Sequence, residues 1–259
     1  MEVVIVPSAD EAGRVVASIV GRALAGGART LGLATGSSPV SAYRELARQH
    51  REEGLSFAGV QAFLLDEYVG LAASHPQSYA RAIRTGFVDH VDLAPEDVHG
   101  PDGAADDILE EAWRYDALLA AAGPVDVQIL GTGANGHLGF NEPGSSLTSR
   151  TRVKTLTEQT RRDNARFFPE GEQVPQHVVT QGLGTIREAR HLVLVATGRT
   201  KAAAVAAAVE GPVSAFCPAS VLQLHPHVTV VVDEPAALRL ELADYYRHVA
   251  ANKLPGQDF

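Results

Sequence analysis

The chain has 259 residues, of which 45% are hydrophobic and 20% charged, with no biased tract long enough to indicate disorder. This length suits one large α/β domain that buries roughly three quarters of its unfolded surface, and it excludes a disulfide-stapled miniprotein. The net charge of −9 at pH 7 disfavours nucleic acid and anionic membranes as partners. An anionic ligand therefore needs a local binding device.

The predicted elements alternate in chain order between short apolar runs and helical patterns. The predicted strands are residues 3–6, 30–34, 60–65, 125–130, 191–196 and 228–232. The predicted helices are residues 9–25, 40–51, 78–87, 105–122, 201–209 and 235–251. This alternation indicates an α/β fold with a doubly wound, mostly parallel, Rossmann-like sheet and helices on both faces. No linker divides the chain, so we expect one domain over residues 1–259, with 144–175 as its least regular insertion.

Several features predict the compartment. Cys217 is the single cysteine, so no internal disulfide can form, which favours a reducing environment. Residues 1–7 lack the basic region of a signal peptide. No stretch reaches the ~18 apolar residues of a membrane span. We therefore expect a cytoplasmic protein that binds neither membranes nor nucleic acid.

Two strand-to-helix turns are candidate anion sites, because ligands bind at the carboxyl ends of parallel strands. The first turn contains Thr35, Gly36, Ser37, Ser38 and Pro39. Its hydroxyls and free N–H groups would face a phosphate at a positive helix end, although a simple capped turn is the alternative. The turn lacks the Gly-Lys-Ser/Thr of a P-loop, so a nucleoside triphosphate is not implied.

The second turn repeats this design after the strand at 191–196. It reads Thr197-Gly198-Arg199-Thr200-Lys201 and adds two cationic donors. A lysine in the first turn of a helix opposes the helix dipole. Lys201 therefore favours a bound anion over a merely solvated side chain.

A glycine-rich loop at 131–144 follows the strand at 125–130 and contains His137 and Glu142. Its Gly-x-Gly-x-x-Gly spacing resembles a dinucleotide fingerprint, but Gly139, Pro143 and Gly144 disfavour the helix that such a site needs. A histidine that titrates near neutrality beside a carboxylate indicates an acid–base site instead. A structural histidine is the alternative.

Two further groups of charges stand out. Asp66 and Glu67 end the strand at 60–65, so one carboxylate can face a pocket as a general base while the other faces outward; a helix cap or surface pair is the alternative. Residues 150–166 carry six basic and two acidic side chains, which could clamp anions. The ten histidines are scattered, and no zinc-type set is evident, so we expect no metal.

Several strings together resemble the glucosamine-6-phosphate deaminase family, from about residue 31 to 233. These are Leu-Asp-Glu-Tyr-Val-Gly-Leu at 65–71, Gly-His-Leu-Gly-Phe-Asn-Glu-Pro at 136–143, the run at 145–156, Asn-Ala-Arg-Phe-Phe at 164–168, Val-Glu-Gly at 209–211 and Leu-Gln-Leu-His-Pro at 222–226. The resemblance implies an enzyme that converts D-glucosamine 6-phosphate and water to D-fructose 6-phosphate and ammonia, without a metal or redox cofactor.

The resemblance also implies roles for individual residues. Asp66 would move the proton between C2 and C1, while His137 would assist ring opening and Glu142 would orient and tune it. The residues implied to bind the 6-phosphate are Gly36, Ser37, Ser38, Arg166 and Lys201. Arg166 would lie on a mobile lid at approximately 150–180, whose closure would exclude water.

One position departs from a familiar version of the family pattern. Some members have aspartate where Asn135 stands, and others have asparagine. The Asn135 oxygen can accept a hydrogen bond from the His137 imidazole but supplies no charge. We therefore expect Glu142 to provide most of the charge stabilisation.

Regulation and assembly are left open by the resemblance. In members activated by N-acetylglucosamine 6-phosphate, residues matching Ser145, Arg152 and Lys154 bind the effector across a hexamer interface, so an effector and a homo-oligomer are both candidates. The tail after residue 233 resembles those members poorly. Other sugar-phosphate isomerases, a 6-phosphogluconolactonase-like hydrolase and a non-catalytic sugar-phosphate sensor are the alternative functions.

Overall fold

The computed structural model describes residues 1–254 and 257. Residues 255, 256, 258 and 259 of the predicted domain lie outside the described residues. The central sheet consists of β1 (Glu2–Val6), β2 (Thr30–Leu33), β3 (Gln61–Leu64), β5 (Val98–His99), β6 (Val127–Leu130), β9 (His191–Ala196) and β10 (Val228–Asp233). All seven strands are parallel, in the order β1-β10-β9-β6-β2-β3-β5, which confirms the predicted fold class.

A second, antiparallel sheet lies at the carboxyl end of β3. It contains β4 (Asp66–Tyr68), β7 (Arg152–Thr155) and β8 (His177–Thr180), in the order β4-β8-β7. Asp66 and Arg152 both pair with Thr180, from opposite sides of β8. Strand β7 lies within the region 144–175 that was predicted to be irregular, and β8 begins two residues after it. Neither strand was predicted, because β7 alternates and the apolar part of β8 is only two residues long.

Helices cover both faces of the central sheet. The α-helices of the described residues are α1 (Ala9–Ala25), α2 (Val40–Glu53), α3 (Tyr79–Gly86), α4 (Ile108–Ala122), α5 (Glu158–Ala165), α6 (Leu183–Ile186), α7 (Ala202–Val209), α8 (Glu234–Ala237) and α9 (Ala243–Ala251). One core joins α1, α2 and α3 to one face, and a second core joins α4, α6, α7 and α8 to the other. Among the described residues, no helix is both long and apolar enough to cross a membrane.

The predicted helix over 235–251 is wrong, because two helices, α8 and α9, take its place. The Glu210 carboxylate accepts hydrogen bonds from the N–H groups of Glu241 and Leu242, at 2.8 and 2.9 Å. These bonds satisfy backbone donors just before α9 and allow the chain to turn there. The partner residue is about 30 positions away in the sequence, so local patterning did not reveal the break.

Tyr43 fixes the start of the first candidate phosphate turn. Its buried hydroxyl donates to the Ala34 carbonyl at 2.7 Å and accepts from the Ala34 N–H at 3.0 Å. Both backbone groups that would otherwise extend β2 are therefore satisfied by one side chain. The turn at 35–39 leaves the sheet from a fixed point above α2.

Candidate active site

Asp66 is a buried carboxylate at the junction of the two sheets. Only 5% of the residue is exposed. Its carboxylate lies beside the Thr180 hydroxyl, opposite it on β8, and beside the Phe140 N–H, and both groups act to lower its pKa. The same Phe140 N–H lies 3.1 Å from Thr180 Oγ1, so β4, β8 and the glycine-rich loop meet at this carboxylate.

The loop approaches Asp66 closely because it has glycine at position 139. Gly139 adopts a φ of +53°, and a Cβ atom there would lie 2.9 Å from Thr180 Oγ1 and 3.1 Å from Asp66 Oδ2. A side chain would therefore be strained by its backbone conformation and would also crowd the carboxylate. Glycine brings the peptide of Phe140 within reach of Asp66.

The environment of Asp66 makes the carboxylate a strong base. Burial, followed by the nearby charge of Glu67, raises the pKa of Asp66 from its usual 3.8 to about 8, although the Thr180 hydroxyl and the Phe140 N–H oppose this rise. A group whose pKa lies near the working pH is suited to both accepting and returning a proton. The burial and raised pKa of Asp66 suit an acid–base group, and its catalytic role stays a prediction.

Glu67 differs from the prediction that one of the two acids faces outward. Its residue is 2% exposed, and its carboxylate accepts N–H groups of Tyr68, Tyr79 and Ala80 at 2.8 to 3.0 Å. Tyr79 and Ala80 begin α3, so Glu67 caps the positive end of that helix. The side chain holds α3 against β4 and also raises the pKa of its neighbour Asp66.

His137 and Glu142 lie together in the glycine-rich loop. The buried Nδ1 of His137 is 3.7 Å from Glu142 Oε2 and makes no hydrogen bond with the residues that the structure describes. The imidazole packs over Gly133, where a Cβ atom would lie 2.3 Å from the ring. The ring is therefore held flat against the backbone, with one nitrogen facing the carboxylate.

Asn135 binds this loop differently from the expected bond to the imidazole. Its Oδ1 accepts the backbone N–H of His137 at 3.2 Å, and its Nδ2 donates to Glu142 Oε2 at 2.6 Å. The short spacing of two residues favours the local backbone bond over the ring. Asn135 thus orients Glu142 and leaves the carboxylate as the charged group beside the imidazole.

The pKa of Glu142 is shifted in the opposite direction to that of Asp66. Burial acts to raise its pKa, but interactions with His137, Thr160 and Asn135 outweigh burial and lower the pKa from its usual 4.5 to about 2. One carboxylate of the site is therefore kept ionised, while the other is biased towards the protonated form. Environments that push two carboxyl pKa values apart are a mark of divided acid–base roles.

The two Thr-Gly turns meet above the carboxyl ends of β2 and β9. The Ser38 Oγ accepts the Thr197 N–H at 3.3 Å and lies 3.5 Å from the Thr197 hydroxyl. Gly36 has a φ of +101°, and Gly36 and Ser37 are exposed at the open end of α2. In the described part of the chain, no side chain caps this end of the helix. The first turn thus presents free donors.

The second turn is less open than its sequence suggested. The Gly198 N–H is bound by both carboxylate oxygens of Asp233, at 2.9 and 3.0 Å. Asp233 ends the adjacent strand β10 and also accepts from Ala236 at the start of α8. This backbone donor is consequently occupied, and the contribution of the second turn is its cation, Lys201.

Lys201 and Arg166 form a cationic pair beside these turns. Burial and then the charge of Arg166 lower the pKa of Lys201, whereas Asp163 acts to raise it. No salt bridge between described residues includes Lys201 or Arg166, and the Arg166 guanidinium instead lies over the Phe167 ring, 4.7 Å from its centroid. Two unneutralised cations within electrostatic range of each other favour the binding of an anion between them.

Arg166 lies in the connection between β7 and β8, residues 156–176, which contains α5. Aromatic contacts anchor this connection: Phe168 packs edge-on against Tyr68, with ring centroids 5.6 Å apart, and Asn164 Nδ2 donates to the Tyr68 hydroxyl at 2.9 Å. Phe140 of the glycine-rich loop packs against the same tyrosine. The connection therefore closes over the strand that carries Asp66.

The three candidate effector residues lie in two different parts of the structure. Ser145 lies three residues after Glu142, with its Oγ buried and unpaired among described residues. Arg152 and Lys154 are two residues apart on β7 and so share one face of the antiparallel sheet. Among the described residues, the Ser145 hydroxyl forms no hydrogen bond with either cation. Within the same part of the chain, no cluster of three metal-type ligands occurs.

Sequence reasoning assigned no role to three polar residues that support the site, namely Thr180, Thr160 and Asn164. Asn164 stood in the string at 164–168, whereas Thr160 and Thr180 are single polar residues without a local motif. Their partners lie 18 to 114 positions away. The one available signal was that Thr180, a polar residue, follows the apolar pair Val178 and Val179 and ends β8. A polar residue at a buried strand end can mark a partner on the neighbouring strand.

Comparison with known proteins places this geometry in a family. The family model of glucosamine-6-phosphate isomerases and 6-phosphogluconolactonases matches residues 8–231. The chain belongs to this family. A glucosamine-6-phosphate deaminase of Rhodococcus opacus (strain B4) is 64% identical over 259 residues, all of both chains. One of Streptomyces avermitilis is 56% identical over 255 residues, 98% of each.

Solved structures of family members agree. A monomeric glucosamine-6-phosphate deaminase is 42% identical, with a TM-score of 0.90 over 92% of this chain and all of that chain. A 6-phosphogluconolactonase from Trypanosoma cruzi is 19% identical, with a TM-score of 0.74 over 93% of this chain and 97% of that one. The second likeness shows the shared fold alone.

The two oppositely shifted carboxylates predict opposite stability effects. For Asp66, the folded protein binds the proton more tightly than the unfolded chain, so this group lowers stability as pH rises from about 4 to about 8. For Glu142, ionisation stabilises the fold above its usual pKa, and this contribution is lost as pH falls towards about 2. Asp66→Asn should therefore gain melting temperature relative to wild type as pH rises, whereas Glu142→Gln should lose it at pH 7.

Thermal unfolding measured from pH 5 to about 9 checks this prediction. A free-energy change of about 1 kcal/mol moves the melting temperature of a chain of this size by roughly 2 °C, which is readily resolved. A difference between Asp66→Asn and wild type that stays constant across the range would contradict the raised pKa.

Proposed function

We propose that this chain converts D-glucosamine 6-phosphate and water to D-fructose 6-phosphate and ammonia. The observation that carries the proposal is the set of groups at the carboxyl ends of the parallel strands: a buried base, an imidazole–carboxylate pair and a cationic pair without salt-bridge partners. The chain that holds them is 56% to 64% identical to named deaminases along nearly its whole length.

The isomerisation requires one group that removes a proton and returns it. In the proposed reaction, Asp66 takes the proton from C2 and delivers it to C1, while the C1 carbonyl oxygen gains a proton and becomes a hydroxyl. C2 is then an iminium carbon that still holds the nitrogen. Water adds to this carbon and ammonia leaves, which forms the C2 carbonyl of fructose 6-phosphate. A pKa of about 8 supports both halves of the transfer, since the carboxylate gains and loses its proton near neutral pH.

Ring opening is assigned to the His137 and Glu142 pair. The imidazole accepts the proton of the C1 hydroxyl, and the ionised Glu142 beside it stabilises the resulting imidazolium. As the C1–O5 bond breaks and the C1 carbonyl forms, the imidazolium returns the proton to the ring oxygen O5. Asn135 orients the carboxylate through its amide and is therefore a positioning residue. With no charge at position 135, Glu142 provides the stabilisation alone.

The substrate phosphate is assigned to the first Thr-Gly turn together with Arg166 and Lys201. Gly36, Ser37 and Ser38 supply donors at the uncapped end of α2, and the two cations supply charge. Because Arg166 lies in the β7–β8 connection, a bound phosphate links that connection to the rest of the site. This is consistent with the lid expected at approximately 150–180.

The reaction is tested by incubating the purified chain with glucosamine 6-phosphate and measuring both products. We expect ammonium and fructose 6-phosphate in equal amounts. A ketose product that keeps its amino group, formed without ammonium, would indicate an isomerase that retains nitrogen. Hydrolysis of 6-phosphogluconolactone would indicate a lactonase. Folded protein that yields neither product at saturating substrate would contradict the proposal.

The phosphate assignment predicts a selective effect of Lys201→Ala. Removing a charge-assisted hydrogen bond costs about 1.5–3 kcal/mol, so KM for glucosamine 6-phosphate should rise on the order of tenfold or more. Arg44→Ala is the matched control, because it removes an equal charge from an exposed position paired with Asp10. Equal KM values for Lys201→Ala and the control would refute the assignment.

We also propose N-acetylglucosamine 6-phosphate as an effector that binds Ser145, Arg152 and Lys154. Two observations support this assignment. The buried Ser145 hydroxyl has no hydrogen-bond partner among the described residues. In the same part of the chain, the half-buried Arg152 donates to the Arg150 carbonyl, at 3.2 Å, and to no carboxylate. The effector should shift the substrate saturation curve of the ammonium assay. A hyperbolic curve that it leaves unshifted would remove the effector.

A further inference from the structure

The β7–β8 connection contacts the acid–base loop through a threonine on α5. Thr160 is 6% exposed, and its hydroxyl donates to Oε1 of Glu142. Thr157 caps α5 by accepting the Thr160 N–H at 3.1 Å, and its own hydroxyl lies 3.5 Å from the same carboxylate oxygen. The first turn of α5 is therefore bound to Glu142.

Thr160 and Asn164 are one helical turn apart and so lie on the same face of α5. Asn164 donates to the hydroxyl of Tyr68, which lies two residues after Asp66 on β4. One face of a single helix thus reaches both halves of the site. Arg166 immediately follows α5, so the charge assigned to phosphate binding moves with this helix.

Glu142 is held from both sides. Oε1 accepts from Thr160, and Oε2 accepts from Asn135 at 2.6 Å. Two fixed donors on different oxygens determine the plane of the carboxylate. In that plane Oε2 also faces His137 Nδ1 at 3.7 Å. Asn135 belongs to the same loop as Glu142, whereas Thr160 comes from the connection that covers the site.

We propose that Thr160 is a positioning residue whose hydroxyl couples the seating of α5 to the orientation of the Glu142 carboxylate beside His137. When α5 is seated, Glu142 has donors on both oxygens. When α5 moves away, a buried carboxylate loses one of them, which disfavours its ionised form. Binding of phosphate by Arg166 and alignment of the acid–base pair are then linked through the same helix. This inference rests on the proposed function.

The test begins with Thr160→Val, which removes the hydroxyl but keeps the branched shape. We expect kcat to fall on the order of tenfold, as for loss of a hydrogen bond to a charged group, with KM changed by less than about twofold. Thr160→Ser should recover most of the loss because it restores the hydroxyl. Gln159→Val is the control, because it places the same side chain on the exposed face one residue earlier.

A double-mutant cycle with Glu142→Gln decides whether Thr160 acts through Glu142. When Glu142→Gln is already present, adding Thr160→Val should change kcat by no more than about twofold, because the charged acceptor is absent. The same loss in both backgrounds, a rise in KM without a fall in kcat, or failure of the serine variant to rescue would each overturn the proposal. Thr160→Ala replaces the valine variant if that variant does not fold.

Thermal unfolding of wild type, Thr160→Val, Glu142→Gln and the double variant measures the interaction between Thr160 and Glu142 in the absence of substrate. Non-additive melting temperatures are expected, and additive ones would overturn the coupling. Wild-type protein that releases no ammonium from glucosamine 6-phosphate would refute the proposed function, whereas the unfolding cycle would still show whether Thr160 and Glu142 interact. The two failures are thus distinguishable.

Discussion

The site depends on the burial of one carboxylate at the junction of two sheets. β3 ends at Leu64, and one residue later the chain enters β4, which pairs with β8 rather than with the parallel sheet. This register sets Asp66 opposite Thr180 and close to Gly139. Burial there raises the pKa, while the neighbouring Thr180 hydroxyl and Phe140 N–H act to lower it. A stable fold alone would favour a neutral residue at this position, so the buried acid points to a functional role.

The net charge of −9 is compatible with an anionic ligand because the site's electrostatics are local. The uncapped end of α2 and the pair Lys201 and Arg166 create a small positive region, while Asp66 and Glu142 lie within the adjacent loop and sheet. A phosphate monoester fits such a region, whereas an extended polyanion would meet the acidic remainder of the surface. The β7–β8 connection joins these parts, since it carries Arg166 and contacts both Glu142 and Tyr68.

Much of the fold was predictable because its signals are local. The apolar parallel strands, the glycine turns and the pair of His137 with Glu142 are visible within short windows of sequence. The antiparallel strands β7 and β8 were not, because they are partly polar and derive their stability from pairing within the small sheet. The break between α8 and α9 depends on Glu210, and the Gly198 N–H is occupied because it donates to Asp233. Such distant contacts have no periodic signature, and the same holds for the inward direction of Glu67.

The central claim is that Asp66 carries the proton between C2 and C1, and turnover of Asp66→Asn tests it most directly. General acid–base catalysis contributes about 10²–10⁴-fold, so the account predicts a loss of kcat of that order in a protein that is folded and still binds the substrate phosphate. Melting temperature at pH 8 and KM for the residual activity report those two conditions. A folded Asp66→Asn variant with kcat within about tenfold of wild type would contradict the account.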